Sequence, residues 1–184
     1  WPWEKRHATA FWRGVTTGAP VLTKETWREN PRIRLCALSK ELNNTDTLDA
    51  AITYVEQCDD PEVADAIHAS GMMALTVSPK VYLQYKYIIN IDGNASAWGL
   101  FWKFLFKSTV IMVEGRFEQW YYHLLRPWEH YIPVKADLSD LLEKIHWAQT
   151  HDEECRQIAE RACAVVTPIT RESACWELGK ILHA

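Results

Sequence analysis

The feature that most constrains the fold of this chain is the alternation of short apolar runs with segments that carry helix signals. Continuous apolar runs are typical of strands buried on both faces of a sheet. The clearest lies at residues 87–92, and others follow at 110–113 and 131–134. Strands that alternate with helices favour a parallel sheet with helices on both faces. The sequence therefore predicts one Rossmann-like α/β domain over residues 1–184.

The first half of the chain contains three further strand candidates. Residues 8–12 form an apolar run that ends at Arg13-Gly14, and we interpret them as the first strand. In residues 33–38, apolar residues alternate with Arg34 and Cys36, and this period of two predicts a second strand. Residues 48–56 fit either a strand or a helix.

Helix signals separate these strands. Asp60-Pro61 and Ser78-Pro79 each have the form of a cap followed by proline at the first helical position. Gly71 is placed to end the first of these helices. A further helix, apolar nearly all round, is predicted over residues 96–107.

Three helices are predicted after the last strand. Asp137 with Asp140 and Thr150 with Glu153 resemble capping boxes, and the last helix begins at about Arg171. Each helix has an apolar stripe of the kind that packs on a core. The residues predicted to face inward are Leu138, Leu141, Leu142 and Ile145, then Ile158, Ala159, Ala162 and Val166, then Leu178, Ile181 and Leu182.

The composition excludes some classes of partner. Hydrophobic residues make up 48% of the chain and charged residues 24%, with a formal net charge of −4. A nucleic-acid binder usually shows a basic face, so this balance argues against nucleic acid as a partner. The chain has ten tryptophans, a residue type that stacks on sugars or bases or fills the core.

The cysteines indicate neither a disulfide framework nor a metal site. Their number is odd, and they show neither a CxxC pair nor metal-ligand spacing. We therefore expect mostly buried thiols. The cysteines are Cys36, Cys58, Cys155, Cys163 and Cys175.

No membrane span is predicted. Residues 97–113 are mostly apolar, but Lys103 and Lys107 interrupt them, and a span needs about 20 nearly uncharged residues. We interpret them as a buried helix followed by a buried strand. The chain begins at Trp1 without Met or an apolar leader, which predicts an internal or trimmed segment whose localisation signals are missing.

The first candidate binding segment follows the first strand, because ligands of parallel sheets bind beyond the carboxyl ends of the strands. It contains Arg13, whose planar guanidinium suits phosphate. Gly14 allows close approach of the backbone, and Thr16 and Thr17 add hydroxyl donors. A structural role, in which Arg13 pairs with a carboxylate beside a turn, fits the spacing equally well.

The second candidate segment, residues 91–99, runs from a strand into a helix. A helix N-terminus presents unpaired amides and a partial positive charge, which suits a diphosphate. The same residues also fit a capped turn without a ligand. The binding residues predicted here are Asp92, Gly93, Asn94, Ser96 and Trp98.

Several other signatures are missing from the sequence. It has neither a GxGxxG motif nor a P-loop, which argues against an NAD- or ATP-binding site. It also lacks GxSxG and the Asp-x-Asp motif that holds a metal–nucleotide complex in many glycosyltransferases. The seven histidines are not at metal-ligand spacing, so no metal is predicted.

Five motifs occur in a specific order. They are AFWRG with TG at residues 10–14 and 17–18, YKYIINIDGN at 85–94, QWYY at 119–122, LRPWEHYIPV at 125–134 and DLSDL at 137–141. In order and spacing the chain resembles glycosyltransferase family 90 over about residues 3–166. That family includes fungal capsule-associated xylosyltransferases, animal protein O-glucosyltransferases and bacterial lipopolysaccharide-modifying enzymes.

The resemblance implies a two-domain GT-B enzyme with an inverting, metal-independent reaction. This chain matches the C-terminal half, which holds a nucleoside diphosphate sugar, usually UDP-linked, as the donor substrate. No separate cofactor is implied, and the acceptor is a hydroxyl of a glycan or protein. The catalytic base belongs to the N-terminal half, so no catalytic residue is expected in these 184 residues, and the chain alone is expected to be inactive.

Carried over by position, the resemblance places Arg13 at the diphosphate with Thr16 and Thr17 nearby. It places Glu114, at the end of its strand, at the ribose or the base. The residues expected to contact the phosphates or the sugar from the helix end are Gly93, Asn94 and Ser96.

The chain departs from the family pattern at two positions among the candidate binding residues. A lysine commonly lies near the position of Glu114. Many members also have an arginine followed by Phe-Lys in the helix after Asp-Gly-Asn, where this chain has GLFWK at residues 99–103, closer to the bacterial branch. Arg13 is then the one cation predicted at the phosphates.

Two functions from different classes stay open. The chain is either the donor-binding half of a glycosyltransferase that modifies a glycan or protein, or a non-catalytic nucleotide- or carbohydrate-binding module. The sequence fixes neither the sugar nor the compartment. Bacterial relatives act inside the cell at the membrane face, and eukaryotic ones act in the lumen of the endoplasmic reticulum or Golgi.

Overall fold

A parallel sheet organises residues 1–18 and 22–169, the part of the chain that the computed structural model describes. Its strands are β1 (His7–Val15), β2 (Leu48–Tyr54), β3 (Tyr85–Asn90), β4 (Thr109–Val113) and β5 (Ile132–Val134). Their order is β2-β1-β3-β4-β5, and every neighbouring pair is parallel. The predicted Rossmann-like α/β fold is confirmed, and residues 48–56 contain a strand.

Within the described residues, six α-helices flank the sheet. They are α1 (Pro31–Leu42), α2 (Pro61–Ala69), α3 (Pro79–Tyr82), α4 (Leu100–Leu105), α5 (Leu141–Thr150) and α6 (Asp152–Val166). Helices α1 and α5 pack on one face, whereas α3, α4 and the C-terminal half of α6 pack on the other. The helix predicted from Arg171 lies outside the described residues.

The strands are buried on both faces. Along β3, Tyr87 and Ile89 belong to the core beneath α1 and α5, whereas Ile88 packs with Phe11 and Tyr82 beneath α3. Neighbouring residues of one strand point to opposite faces, so both sets need apolar partners. Each fully buried apolar side chain of this size contributes roughly 1.5–3 kcal/mol.

The strand order reverses between β1 and β3. From β1 the chain crosses to β2 on one side and then returns to place β3 on the other side. Helices α1 and α4, which follow β1 and β3, pack on opposite faces of the sheet. Such a switch point opens a crevice outside the carboxyl ends of the strands, where open α/β sheets bind their ligands.

Residues 33–38 are helical, so the prediction of a second strand there was wrong. They belong to α1, which Asn30 caps. Its Oδ1 accepts hydrogen bonds from the backbone N–H groups of Arg32 at 2.9 Å and Ile33 at 3.2 Å. Pro31 occupies the first helical position. A cap and a proline here outweigh a short run with an apparent period of two.

The helix predicted over residues 96–107 begins later, at the start of α4. The Asp92 carboxylate accepts a hydrogen bond from Ala97 N–H at 2.9 Å, and Gly93 N–H donates to the Ala95 carbonyl at 3.1 Å. These bonds fold the preceding segment into a loop.

Both capping boxes predicted near the C-terminal end were wrong. Asp140 precedes α5, but its carboxylate accepts from the backbone N–H of Lys135 at 2.9 Å and makes no cap bond. Thr150 ends α5, and its hydroxyl donates back to the His146 carbonyl at 3.1 Å. The predicted inward-facing residues of these two helices are all buried except Leu142, which is partly buried: Leu138, Leu141, Ile145, Ile158, Ala159, Ala162 and Val166.

Two further predictions are met within the described residues. No helix there is long and apolar enough to span a bilayer. The described cysteines carry free thiols, and all but Cys58 are buried: Cys36, Cys155 and Cys163. Cys175 lies outside the described residues.

One buried cation lies beneath the carboxyl end of β3. Lys103 of α4 donates from Nζ to the Ile89 carbonyl at 3.1 Å and to Asn90 Oδ1 at 3.0 Å. Desolvation disfavours the ammonium and lowers the pKa of Lys103 to about 7. The lysine therefore links α4 to the end of β3 through hydrogen bonds, and burying its ammonium lowers the stability of the fold at a pH where the ammonium is protonated.

Asn30→Ala should lower the free energy of unfolding by about 2–3 kcal/mol. The change removes both cap bonds of a buried side chain and leaves the Thr16 carbonyl, which now accepts from Asn30 Nδ2 at 2.9 Å, without its donor. Asp60→Ala is the matched control, because Asp60 caps α2 through one bond at an exposed site, and it should cost about 1 kcal/mol or less. If urea denaturation gave the same loss of unfolding free energy for both variants, the buried contacts of Asn30 would add nothing beyond an ordinary cap.

Lys103→Met should change how stability depends on pH. Between pH 7 and 10 the unfolded chain keeps the lysine protonated, since its ordinary pKa is 10.5, whereas the folded chain releases the proton above about pH 7. The stability of the wild type relative to Lys103→Met should therefore rise through this window by roughly 1 kcal/mol per pH unit.

Urea titrations at pH 6, 7, 8 and 9 measure the slope for Lys103→Met. Lys5→Met, which alters an exposed lysine, serves as the control and should follow the wild type. Parallel pH profiles for the wild type and Lys103→Met would show that the buried ammonium carries no such penalty.

Candidate functional site

Three strand ends meet at the crevice beside the switch point. Strand β1 continues into residues 16–18, β3 into 91–94 and β4 into 114–117. A cleft of about 670 Å³, here named the switch-point cleft, opens between them. Its lining includes Gly18, Asn30, Asp92, Gly93 and residues 113–117.

A second cleft of about 580 Å³ lies beside the first and is here named the aromatic cleft. The two share Asp92 and the loop after β4. The hydroxyl of Tyr122 is buried in the aromatic cleft and has no hydrogen-bond partner among the described residues. Both clefts have the size of small-molecule pockets. The aromatic residues of the second cleft are Phe117, Tyr122, Trp128 and Tyr131.

Arg32, in the first turn of α1, holds the ends of β1 and β3 together. Its guanidinium donates to the Val15 carbonyl at 3.1 Å and to the Thr17 hydroxyl at 2.6 Å. On the β3 side it donates to the carbonyls of Ile91 at 3.2 Å and Asp92 at 3.1 Å. Burial lowers the pKa of Arg32, although an arginine stays charged. These bonds fix the two walls of the crevice.

Arg32 is not among the site residues predicted from the sequence. The strand that was wrongly predicted over residues 33–38 would leave Arg32 in the loop before it. The signal that identifies its place is Asn30-Pro31. This is the same cap-and-proline pattern that correctly predicts the helices at Asp60-Pro61 and Ser78-Pro79.

Arg13 lies on β1 and pairs with Asp49 of β2, with 2.8 Å between Nη2 and Oδ1. Its Nη1 donates to the backbone carbonyls of Trp12 at 2.9 Å and Asp49 at 3.0 Å, and its guanidinium lies over the Phe11 ring. Arg13 lines neither cleft. The geometry is the carboxylate pairing that the sequence leaves open, and phosphate binding by Arg13 stays a prediction.

The other residues predicted after β1 make contacts within the fold. The Thr16 hydroxyl donates to the Glu56 carbonyl and accepts from the Glu56 N–H, both at 2.8 Å. Gly14 lies against the Trp12 ring, where a Cβ would be only 2.5 Å from the indole. Thr17, which accepts from Arg32, lines a shallow depression together with the loop before α4.

Asp92 and Glu114 line both clefts. Asp92 is half-buried, and desolvation raises the pKa of its carboxyl above its ordinary value. The loop after β4 passes so close to Asp92 that a Cβ on Gly115 would clash with the carboxylate. Glu114 is exposed, and its backbone N–H donates to the Val134 carbonyl at 2.7 Å. Both carboxylates can accept hydrogen bonds from the hydroxyl groups of a ribose or a sugar.

The loop before α4 brings the remaining predicted residues to the shallow depression. Asn94 Oδ1 accepts from Gly18 N–H at 3.2 Å and links the loops after β1 and β3. The buried Ser96 hydroxyl accepts from the side-chain amide of Gln119, whereas Trp98 is 88% exposed. None of these residues lies in the first turn of a helix, so the prediction that a helix end presents them was wrong.

This edge of the sheet is suited to binding a polar ligand with an aromatic ring. It combines backbone donors and acceptors, carboxylates and aromatic walls around open clefts, as small-molecule sites commonly do. Across residues 1–18 and 22–169, no group of three or more His, Cys, Asp or Glu side chains is arranged to hold a metal ion. The metal independence implied by the resemblance stays a prediction.

The sequence is similar to proteins of one enzyme family. The family model described as "Glycosyl transferase family 90" matches residues 1–170. Protein O-glucosyltransferase 2 of Danio rerio is 36% identical over 85% of this chain and 28% of its own length. Protein O-glucosyltransferase 3 of Homo sapiens is 34% identical over 86% of this chain and 27% of its own length.

Viral proteins are similar as well. Uncharacterized protein 179R of Invertebrate iridescent virus 6 is 33% identical over 94% of this chain and 16% of its own length. The chain therefore spans between about one sixth and just over a quarter of the length of these relatives.

Solved structures share the fold. TarM superposes with a TM-score of 0.59 at 14% identity, over 97% of this chain and 35% of TarM. The C-terminal domain of the glycosyl transferase group 1 family protein LpcC from Francisella tularensis gives a TM-score of 0.52 at 11% identity, over 84% of this chain and 83% of that domain. The predicted GT-B-type Rossmann-like fold is confirmed.

The family resemblance of the five motifs is likewise confirmed, because the family model covers nearly the whole chain and relatives exceed 30% identity over most of it. This chain belongs to glycosyl transferase family 90.

Proposed function

We propose that this chain is the donor-binding domain of a glycosyltransferase and that it holds a nucleoside diphosphate sugar, with UDP as the nucleotide. The donor lies in the switch-point cleft, and the sugar passes to a hydroxyl of a glycan or protein. The reaction inverts the anomeric centre and needs no metal.

The observation that carries this proposal is the open cleft at the switch point between β1 and β3. Its volume of about 670 Å³ falls within the range of roughly 300–1,000 Å³ that small-molecule sites occupy. Arg32 and Asn94 join the loops that form its walls, so the cleft is held in shape without a ligand. A preformed cleft binds at a lower ordering cost.

In the proposed reaction, one domain binds the donor and another supplies the catalytic base. An inverting transfer needs a base within about 3 Å of the attacking hydroxyl, on the side opposite the departing phosphate. Asp92 and Glu114 line the switch-point cleft, where we place the donor, and we assign them to donor hydroxyl groups rather than to the role of the base. The base then comes from an N-terminal domain, and sugar transfer by these 184 residues alone would contradict this division.

The relatives favour a particular donor and acceptor. Two of them are named as protein O-glucosyltransferases, which supports glucose as the transferred sugar and a protein hydroxyl as the acceptor. The second candidate function, a non-catalytic nucleotide- or carbohydrate-binding module, draws support from one observation. The arginine expected at the diphosphate, Arg13, is instead paired with Asp49.

UDP should raise the midpoint of thermal unfolding of this chain, and GDP, CMP and ADP should raise it less. A ligand at 100 times its Kd adds roughly 2.7 kcal/mol to stability. For a domain of this size that is a shift of about 5–10 °C. Ala136→Trp should abolish the shift, because Ala136 is exposed and lines the switch-point cleft, which an indole would fill.

Ala66→Trp is the matched control, since Ala66 is exposed on α2 and lines neither cleft. It should keep the full UDP response. The absence of a shift with every nucleotide, or an undiminished shift in Ala136→Trp, would rule out the switch-point cleft as the donor site of this chain.

A further inference from the structure

We infer that Arg116, in the loop after β4, is the cation that binds the phosphates of the donor. The inference rests on the proposed function and deepens it. It names a residue outside the motifs by which the family is identified in this chain, which end at Asn94 on one side of the loop and resume at Gln119 on the other.

The charged side chains that line the switch-point cleft are mainly acidic, which is the first reason for assigning this role to Arg116. Among the described residues, three carboxylates line it, those of Glu29, Asp92 and Glu114, and Arg116 is the one basic residue of the lining. A diphosphate brings further negative charge into this acidic cleft, so binding needs a cation close to the phosphate oxygens. In the part of the lining that the structure describes, Arg116 is the residue that supplies one.

The other two arginines near the strand ends have both terminal nitrogens engaged within the fold. Arg13 pairs with Asp49 and donates to two backbone carbonyls, and it does not line the cleft. Arg32 donates to three carbonyls and to the Thr17 hydroxyl, and these bonds hold β1 to β3. Turning either guanidinium toward a phosphate would break contacts that maintain the fold.

Among the described residues, the guanidinium of Arg116 is not held by comparable contacts. Within the described residues its guanidinium makes neither an ion pair nor a hydrogen bond, and it lies 5.0 Å from the centre of the Phe117 ring. An exposed guanidinium on a loop can meet a phosphate without losing an existing partner. A fork of N–H donors also matches two phosphate oxygens at once, which an ammonium does not.

Calorimetric titration with UDP and with uridine separates phosphate recognition from recognition of the nucleoside. Arg116→Ala should weaken UDP binding about 10- to 100-fold, the usual effect of losing a charge-assisted hydrogen bond, and leave uridine binding unchanged. Arg116→Lys should restore part of the affinity for UDP. Arg156→Ala is the matched control and should bind both ligands as the wild type does, because Arg156 is a partly exposed arginine of α6 that pairs with Glu4 and lines neither cleft.

The outcomes that overturn the inference are distinct. If the wild type binds UDP and Arg116→Ala binds it equally well, Arg116 is not the phosphate cation, while the proposed function stands. If Arg116→Ala weakens uridine as much as UDP, the residue acts through the shape of the loop rather than on the phosphates. If the wild type binds no UDP, the proposed function fails first and this inference fails with it.

Discussion

The hydrogen bonds of Arg32 bring the ends of β1 and β3 together, and the candidate site depends on that junction. One guanidinium reaches the Val15 carbonyl on β1 and the Ile91 and Asp92 carbonyls on the β3 side, at 3.1–3.2 Å. Strand ends at a switch point diverge, because the helices that follow them leave on opposite faces. A charged donor between their carbonyls fixes the distance between the loops, and with it the width of the switch-point cleft.

The fold follows from the sequence wherever a long pattern and a local signal agree. The apolar run of β3 and the cap-and-proline pairs at Asp60 and Ser78 predict the elements that the structure contains. Sequence reasoning fails where two local signals compete. At α1 a short alternating run masks the cap at Asn30, and before α4 the hydrogen bond between Asp92 and Ala97 replaces the first helical turn with a loop.

The site was harder to predict than the fold, because the roles of its arginines depend on partners far away in sequence. Arg13 has the position that the family resemblance assigns to a phosphate, but Asp49, on the neighbouring strand, pairs with it. The Asn30-Pro31 signal places Arg32 in the first turn of a helix, but only the packing of α1 against two strand ends gives it a role. Asp92, Gly93 and Glu114, by contrast, lie at strand ends, and topology alone brings them to the cleft.

The proposed function requires that a nucleotide binds at the carboxyl ends of β1, β3 and β4. Amide NMR of the glycines tests it most directly, because glycine signals fall in a sparse region and Gly18, Gly93 and Gly115 all line the cleft. On addition of UDP, we expect shifts at these three amides and none at Gly71, which follows α2 and lines neither cleft. Shifts at Gly71 without shifts at the other three, or no shifts at saturating UDP, would contradict it.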